Sequence, residues 1–228
     1  MTSRLHSAIS GQLLNDRAQA ALGVLLAAWL AVPALRLWLE ASMWRHMLLQ
    51  YPLWMLSGAL LTAALPSGMR HTIARWNAHG ISGLAYVGIA LTVLMIPRVL
   101  DQALLHPGIE VAKCAALVLA GSLLRLSWIA SGLVVQSFFL GNMLLMGTVV
   151  GQLYASTPLR LCNAYLLDDQ ERLGTWLSGI SIGTALAWLA YVMWWLVQRE
   201  AQTRTLTGAP APTIAAAHAV PNHDNRAP

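Results

Sequence analysis

Residues Cys114 to Leu159 read CAALVLAGSLLRLSWIASGLVVQSFFLGNMLLMGTVVGQLYASTPL, and Arg125 is the only charged side chain among them. A helix needs about 20 apolar residues to cross the roughly 30 Å hydrocarbon layer of a bilayer. The stretch is long enough for two such helices. A tight turn near Arg125 to Trp128 is the expected place for the chain to reverse between them.

The same character extends outward along the chain. Its 228 residues are 57% hydrophobic and only 10% charged, with ten Trp, a single Lys and a mean hydropathy of +0.58. A soluble domain carries about 25% charged residues, so soluble enzymes, disulfide scaffolds and disordered regulators are excluded. The formal charge of +5 is ordinary for a membrane protein and does not point to nucleic acid. No phosphate-binding loop, dinucleotide fingerprint, nucleophile elbow or Cys-x-x-Cys pair occurs, so no enzyme is expected and no catalytic residue is assigned.

The expected fold is all-α, a polytopic membrane helix bundle of about six transmembrane helices. The first span is placed at Ala18 to Trp38 with a kink at Pro33, the second at Trp44 to Leu65 and the third at Gly80 to Pro97. Two more lie within Cys114 to Leu159 and the last between Arg172 and Arg199. Three regions follow: a polar N-terminal segment over 1–17 without a signal-peptide pattern, a transmembrane domain over 18–198, and a tail over 199–228. The tail is rich in Ala, Pro and Thr and is expected to be disordered; His218 and His223 lie in it. An even number of spans puts both termini on one side. That side holds eight Lys and Arg against six on the other, which favours cytoplasmic termini. Gly147-x3-Gly151 and Gly179-x3-Gly183 are expected at close helix contacts.

The start of the second span carries the candidate chemistry. Met43, His46, Met47 and Gln50 share one helical face at 3.6 residues per turn. Thioether and imidazole donors together suit a soft ion such as Cu(I); equally, the methionines fill packing gaps and His46 finds a backbone partner. With the termini inside, Met95, Asp101, His106, Met143, Met146, Asp168, Asp169 and Gln170 reach the same outer edge and are expected to converge with His46 on one basin. Cys114 and Cys162 lie on that side too, and a disulfide, thiolate ligands or two unpaired thiols all remain open. Lys113 and Arg125 flank the fourth span as snorkelling cations. No two histidines sit at matching depth mid-membrane, so a bis-histidine haem is not expected. No span holds a mid-membrane acid of the kind a transporter would need.

His46-Met47-Leu48-Leu49-Gln50, entering an apolar helix, resembles a helix start in the CtaG-like (caa-type) family of cytochrome c oxidase assembly proteins. The stretch Ile96 to Pro107, with Pro97, Asp101 and Ala103-Leu104, is similar to a second family motif. Leu153-Tyr154 followed by Leu166 to Gly174, with Asp169-Gln170, and then Trp176, resembles a third. The likeness covers about Trp44 to Trp195. It departs at three places: Gln50 and Tyr51 stand where the family has a second His, Ile96 where it has a His before Pro, and Val111 to Cys114 where it has a Glu-His pair.

The resemblance implies a bacterial inner-membrane protein with cytoplasmic termini, an accessory for the assembly of a haem–copper terminal oxidase or a related reductase. Its partners would be the oxidase catalytic subunit and membrane lipid. Copper as Cu(I) is the implied cofactor, with His46 and Met47 as ligands and Met43 and His106 behind them. Asp101, Asp169 and Gln170 would shape the outer loop. A relative that has lost ligands and scaffolds the oxidase without carrying metal fits the same residues. So does an integral subunit of a respiratory complex without its own metal, and a small transporter is the third reading.

Overall fold

A computed structural model describes the backbone of residues 2–207 and the side chains of residues 15–202. The described residues form nine helices and no strand: α1 (Thr2–Leu30), α2 (Pro33–Glu40), α3 (Met43–Ala64), α4 (Ser67–Trp76), α5 (Ile81–Leu94), α6 (Pro97–Leu105), α7 (Pro107–Ala130), α8 (Leu133–Ser156) and α9 (Leu167–Thr207). An all-helical chain suits an apolar solvent, because each helix satisfies its own backbone N–H and C=O groups.

Proline and glycine set the breaks. Pro33, Pro97 and Pro107 each open a helix, where the missing N–H would have no partner anyway. Gly80 opens α5 at φ +73°, a conformation that a side chain would strain. Within α3 the residues His46–Gln50 form a π turn. Pro52 follows one residue later, and its missing N–H removes a bond of the ordinary α-ladder just where the wider turn gives way to α-helix.

Helices α3 and α7 make the closest crossing. A Cβ added at Gly58 would run into the Val118 carbonyl, and one at Gly121 into the Met55 carbonyl. Ser122 Oγ donates to the Gly58 carbonyl at 2.8 Å, so the crossing carries a hydrogen bond as well as close packing. Helix α1 packs on α3 and helix α5 on α7. At the far end of α7, Asn77 Nδ2 donates to Ser127 Oγ at 2.8 Å. Arg125 donates to the Ala59 carbonyl at 2.8 Å and to Gln19 Oε1 at 2.9 Å. These bonds hold Arg125 inside a continuous helix, so the turn expected at Arg125 to Trp128 lies instead at Ser131–Gly132.

Only 6% of the apolar window of α8 and of α9 is buried, although Tyr154 of α8 and Leu173 and Leu177 of α9 belong to the buried core. Gly147 and Gly151 meet Ser181 and Ser178 of α9, whereas a Cβ at Gly179 or Gly183 would touch nothing within 4 Å. The first glycine pair is at a helix contact and the second is not.

Among the described residues three helices are long and apolar enough to cross a bilayer: α3, α8 and the 167–202 part of α9. Two bent pairs bring the number to as many as five. Residues 15–30 turn by 71° into α2 across the break before Pro33, and α4 turns by 85° into α5. The expected count of six is therefore not reached by length and composition. Helix α5 has only 14 residues, and α7, with 24 residues, carries Glu110, Lys113 and Arg125. Residues 2–17 belong to α1 rather than to a separate segment. Helix α9 runs on to Thr207, past the expected start of the tail; residues 208–228, with His218 and His223, lie outside the described residues. The chain divides into two compact units, 1–185 and 186–228. The described part of the second is helical, with the Arg199 guanidinium 5.1 Å from the Trp195 ring centre. The site described below lies wholly in the first.

Candidate functional site

The π turn aims His46, Met47 and Gln50 inward, and all three are buried while Leu49 is exposed. The first turns of α7 bring Glu110 and Lys113 against them, and Glu40 closes the group from the end of α2. Lys113 is 2% exposed. An ammonium so deeply buried is stable only when surrounded by acceptors. Its Nζ lies 2.8 Å from Glu110 Oε2, 2.9 Å from His46 Nε2, 3.4 Å from Gln50 Oε1 and 3.6 Å from Glu40 Oε1. Gln50 Nε2 donates to Glu40 Oε1 at 3.4 Å, and Arg36 Nε donates to Glu40 Oε2 at 3.2 Å. Two carboxylates thus face two cations. The Tyr51 ring completes the wall, edge-on to His46 at 5.5 Å and 6.0 Å from Lys113 Nζ.

This pattern fixes the imidazole. A lysine ammonium only donates, so His46 Nε2 is the acceptor and the proton sits on Nδ1. Nδ1–H then donates to the Tyr165 hydroxyl at 2.7 Å. Both ring nitrogens of His46 are used, and the ring is neutral.

Tyr165 belongs to the connection between α8 and α9, which is pinned over the cluster from several sides. Asp101 accepts from the backbone N–H of Asn163 at 3.0 Å and of Ala164 at 3.2 Å. Gln170 Oε1 accepts from the Leu161 N–H at 2.8 Å, and its Nε2 donates to the Tyr154 and Leu159 carbonyls, each at 3.3 Å. Arg160 donates to the Tyr165 carbonyl at 2.7 and 3.1 Å. Asp169 accepts from Ser42 Oγ at 2.8 Å and ties the start of α9 to the start of α3. Burial pushes the Cys162 thiol in this loop up to about 12, with the Asp101 carboxylate adding to the effect. The Tyr165 hydroxyl is likewise raised well above the usual phenol range, by burial first and then by the Glu40 carboxylate.

The expected convergence is present only in part, as a closed polar cluster around His46 beneath a pinned connection rather than an open basin; Met143 and Met146 lie instead beside Gly88 and Thr92 of α5. Asp101, Asp169 and Gln170 hold the loop. The Met95 carbonyl accepts from the Tyr154 hydroxyl at 3.0 Å. Met43 and Met47 are buried in the hydrophobic core beside Leu39 and Tyr51. His106 is exposed at the junction of α6 and α7 and does not join the cluster. Cys114 and Cys162 are both free thiols; Cys114 Sγ donates to Glu110 Oε1 at 3.6 Å. Lys113 does not snorkel outward: it points inward, because two carboxylates, a glutamine and an imidazole await it there. Glu40, Glu110 and Tyr165 are members that sequence reading missed. The available signal was the chain's only lysine, one helical turn after a glutamate.

Copper does not fit at His46 in this arrangement. Cu(I) would have to bind a ring nitrogen, but Nδ1 is bonded to Tyr165 and Nε2 faces the Lys113 ammonium at 2.9 Å. Among the described residues no group of three or more His, Cys, Asp or Glu side chains is placed to hold a metal ion. The fold and site define a helical protein with the character of a membrane protein and a buried ionic cluster at one end. No protein-family model, curated protein or solved structure matches the chain.

Proposed function

We propose that this chain is a bacterial inner-membrane accessory protein for the assembly of a haem–copper terminal oxidase or a related reductase. It acts by holding the immature catalytic subunit and not by carrying copper at His46. One observation carries this reading beyond the sequence likeness. The short stretches that resemble the oxidase-assembly family are far apart in the chain, yet they meet at one end of the bundle: His46 and Gln50 from the first stand in the buried cluster, while Asp101 from the second and Asp169 and Gln170 from the third hold the connection whose Tyr165 hydroxyl bonds His46. At two of the places where the chain departs from the family, Lys113 stands against His46 at 2.9 Å and Gln50 accepts from Lys113 at 3.4 Å. A tethered ammonium there supports a scaffold that needs no metal to close its outer end.

The same proposal includes six crossings with both termini in the cytoplasm. Helix α7 lies beside α3 along most of its length, from Lys113 against His46, through Gly121 against Met55, to Arg125 against Ala59. This pairing supports a crossing by α7 together with α3, and Lys113 and Arg125 have their partners inside the bundle, as membrane depth requires.

The test is removal of the protein from its host, followed by measurement of assembled oxidase, its copper content and its activity. The expected result is loss of assembled oxidase that added copper does not restore, and a mature oxidase that purifies without this chain. Rescue by copper would replace the holding role by metal delivery. Co-purification at one-to-one stoichiometry would make the chain a resident subunit, and unchanged oxidase would end the proposal.

A further inference from the structure

The surroundings of Lys113 Nζ have the character of a binding site whose ligand happens to be covalently attached. Four acceptors from three helices stand at 2.8–3.6 Å from one nitrogen. These are hydrogen-bond and ion-pair distances, well beyond the roughly 2.0–2.3 Å at which imidazole, carboxylate or thiolate groups hold a transition metal. A lysine ammonium has three N–H donors, and the acceptors around it include two carboxylates, a neutral imidazole nitrogen and an amide oxygen. The Tyr51 ring lies 6.0 Å away, within the range where an aromatic ring attracts a cation. All members are buried, so the donor–acceptor match was built without water as an alternative partner. The chain contains no other lysine that could supply the same group.

We propose that Glu40, His46, Gln50 and Glu110 form a recognition cage for a primary ammonium ion, filled from within by Lys113. Truncation of that side chain leaves a site that a small alkylammonium ion from solution can occupy. The inference stands on the cage geometry and does not depend on the oxidase proposal. Lys113→Ala removes three methylenes and the amine, the size of n-propylammonium. The guest needs N–H donors, so tetramethylammonium, which has the charge but no donor, is excluded by the same geometry.

The experiment is thermal unfolding of the detergent-solubilised full chain as wild type, Lys113→Ala and Lys113→Met, at constant ionic strength. It is read with n-propylammonium chloride, tetramethylammonium chloride or no additive. The alanine variant is expected to unfold about 5 °C or more below the wild type and to recover a large part of that shift in n-propylammonium only. Lys113→Met, which fills the volume without a donor, is expected to be destabilised and to respond to neither salt. Should Lys113→Ala fail to accumulate folded, membranes are extracted with each salt present, and recovery in n-propylammonium alone supports the cage. Equal response to both salts overturns the proposal, as does a methionine variant as stable as the wild type. Stabilisation of Lys113→Ala by Zn(II) but not by n-propylammonium would also overturn it.

Discussion

His46, Met43, Met47 and Gln50 were legible as one face because a helix repeats every 3.6 residues, and all four are buried. Their chemistry was less legible. A histidine among methionines reads as a soft-metal site until its neighbours are known, and those neighbours, Lys113 and Tyr165, come from distant parts of the chain. Lys113 was misread for the same reason: nothing in its local sequence reveals that Glu40 points at it from another helix. Cys162 gives a prediction at this scale. Its thiol is raised from 9.0 to about 12 by burial, so the unfolded chain loses that proton before the folded one does. Stability from this group is complete below about pH 9 and is lost progressively as the pH rises towards about 12. Tyr165 acts in the same direction. Unfolding temperatures measured from neutral to alkaline pH are expected to fall on the alkaline side, less steeply in Cys162→Ala. An identical decline in that variant would remove the thiol from the account. At neutral pH the folded protein is also expected to resist thiol alkylation at Cys162, since only the thiolate is a good nucleophile.

Three helix ends were read within a few residues: the break before Pro33, the end of the third span, expected at Pro97 and found at Leu94, and the limits of the second span, found at Met43 and Ala64. The turn between α7 and α8 was placed too early, because Arg125 suggested an interface. A guanidinium reaching the Ala59 carbonyl of the next helix can instead stay within the bundle. Glycine spacing gave a mixed answer. Gly147 and Gly151 do meet α9, but the closest crossing uses Gly58 and Gly121, one on each of two helices, and no spacing rule within one helix could pair them. Replacing Gly58 or Gly121 by Leu is expected to lower stability by about 3 kcal/mol, the upper end for overpacking, since backbone carbonyls lie where the new side chain must go. Gly179→Leu, which meets open space, is expected to change stability by less than about 0.5 kcal/mol. Denaturation of the three variants side by side measures the difference, and equal effects would mean that α3 and α7 do not cross there.

At the scale of the molecule, the apolar character read from charge and hydropathy agrees with three to five described helices long and apolar enough to cross a bilayer, whereas the number of crossings was not legible. Helix α5 alone is about 21 Å long at 1.5 Å per residue, too short to span, and its partner α4 meets it at 85°. The six crossings proposed above would put both termini on one side. Reporters fused in turn to each end are therefore expected to give the same, cytoplasmic signal, and opposite signals would mean an odd number of crossings and end the six-crossing reading. The π turn sets a different kind of limit. It holds one residue more than an α-helical turn would need between His46 and the crossing at Gly58. Loss of any single residue there would let the ladder close up as ordinary α-helix and swing everything beyond it by about 100°. Either the histidine would leave Lys113 or the glycine would leave Val118. Deletions in that short segment should thus be far less tolerated than substitutions: its length, as much as its chemistry, keeps the two ends of the bundle in phase.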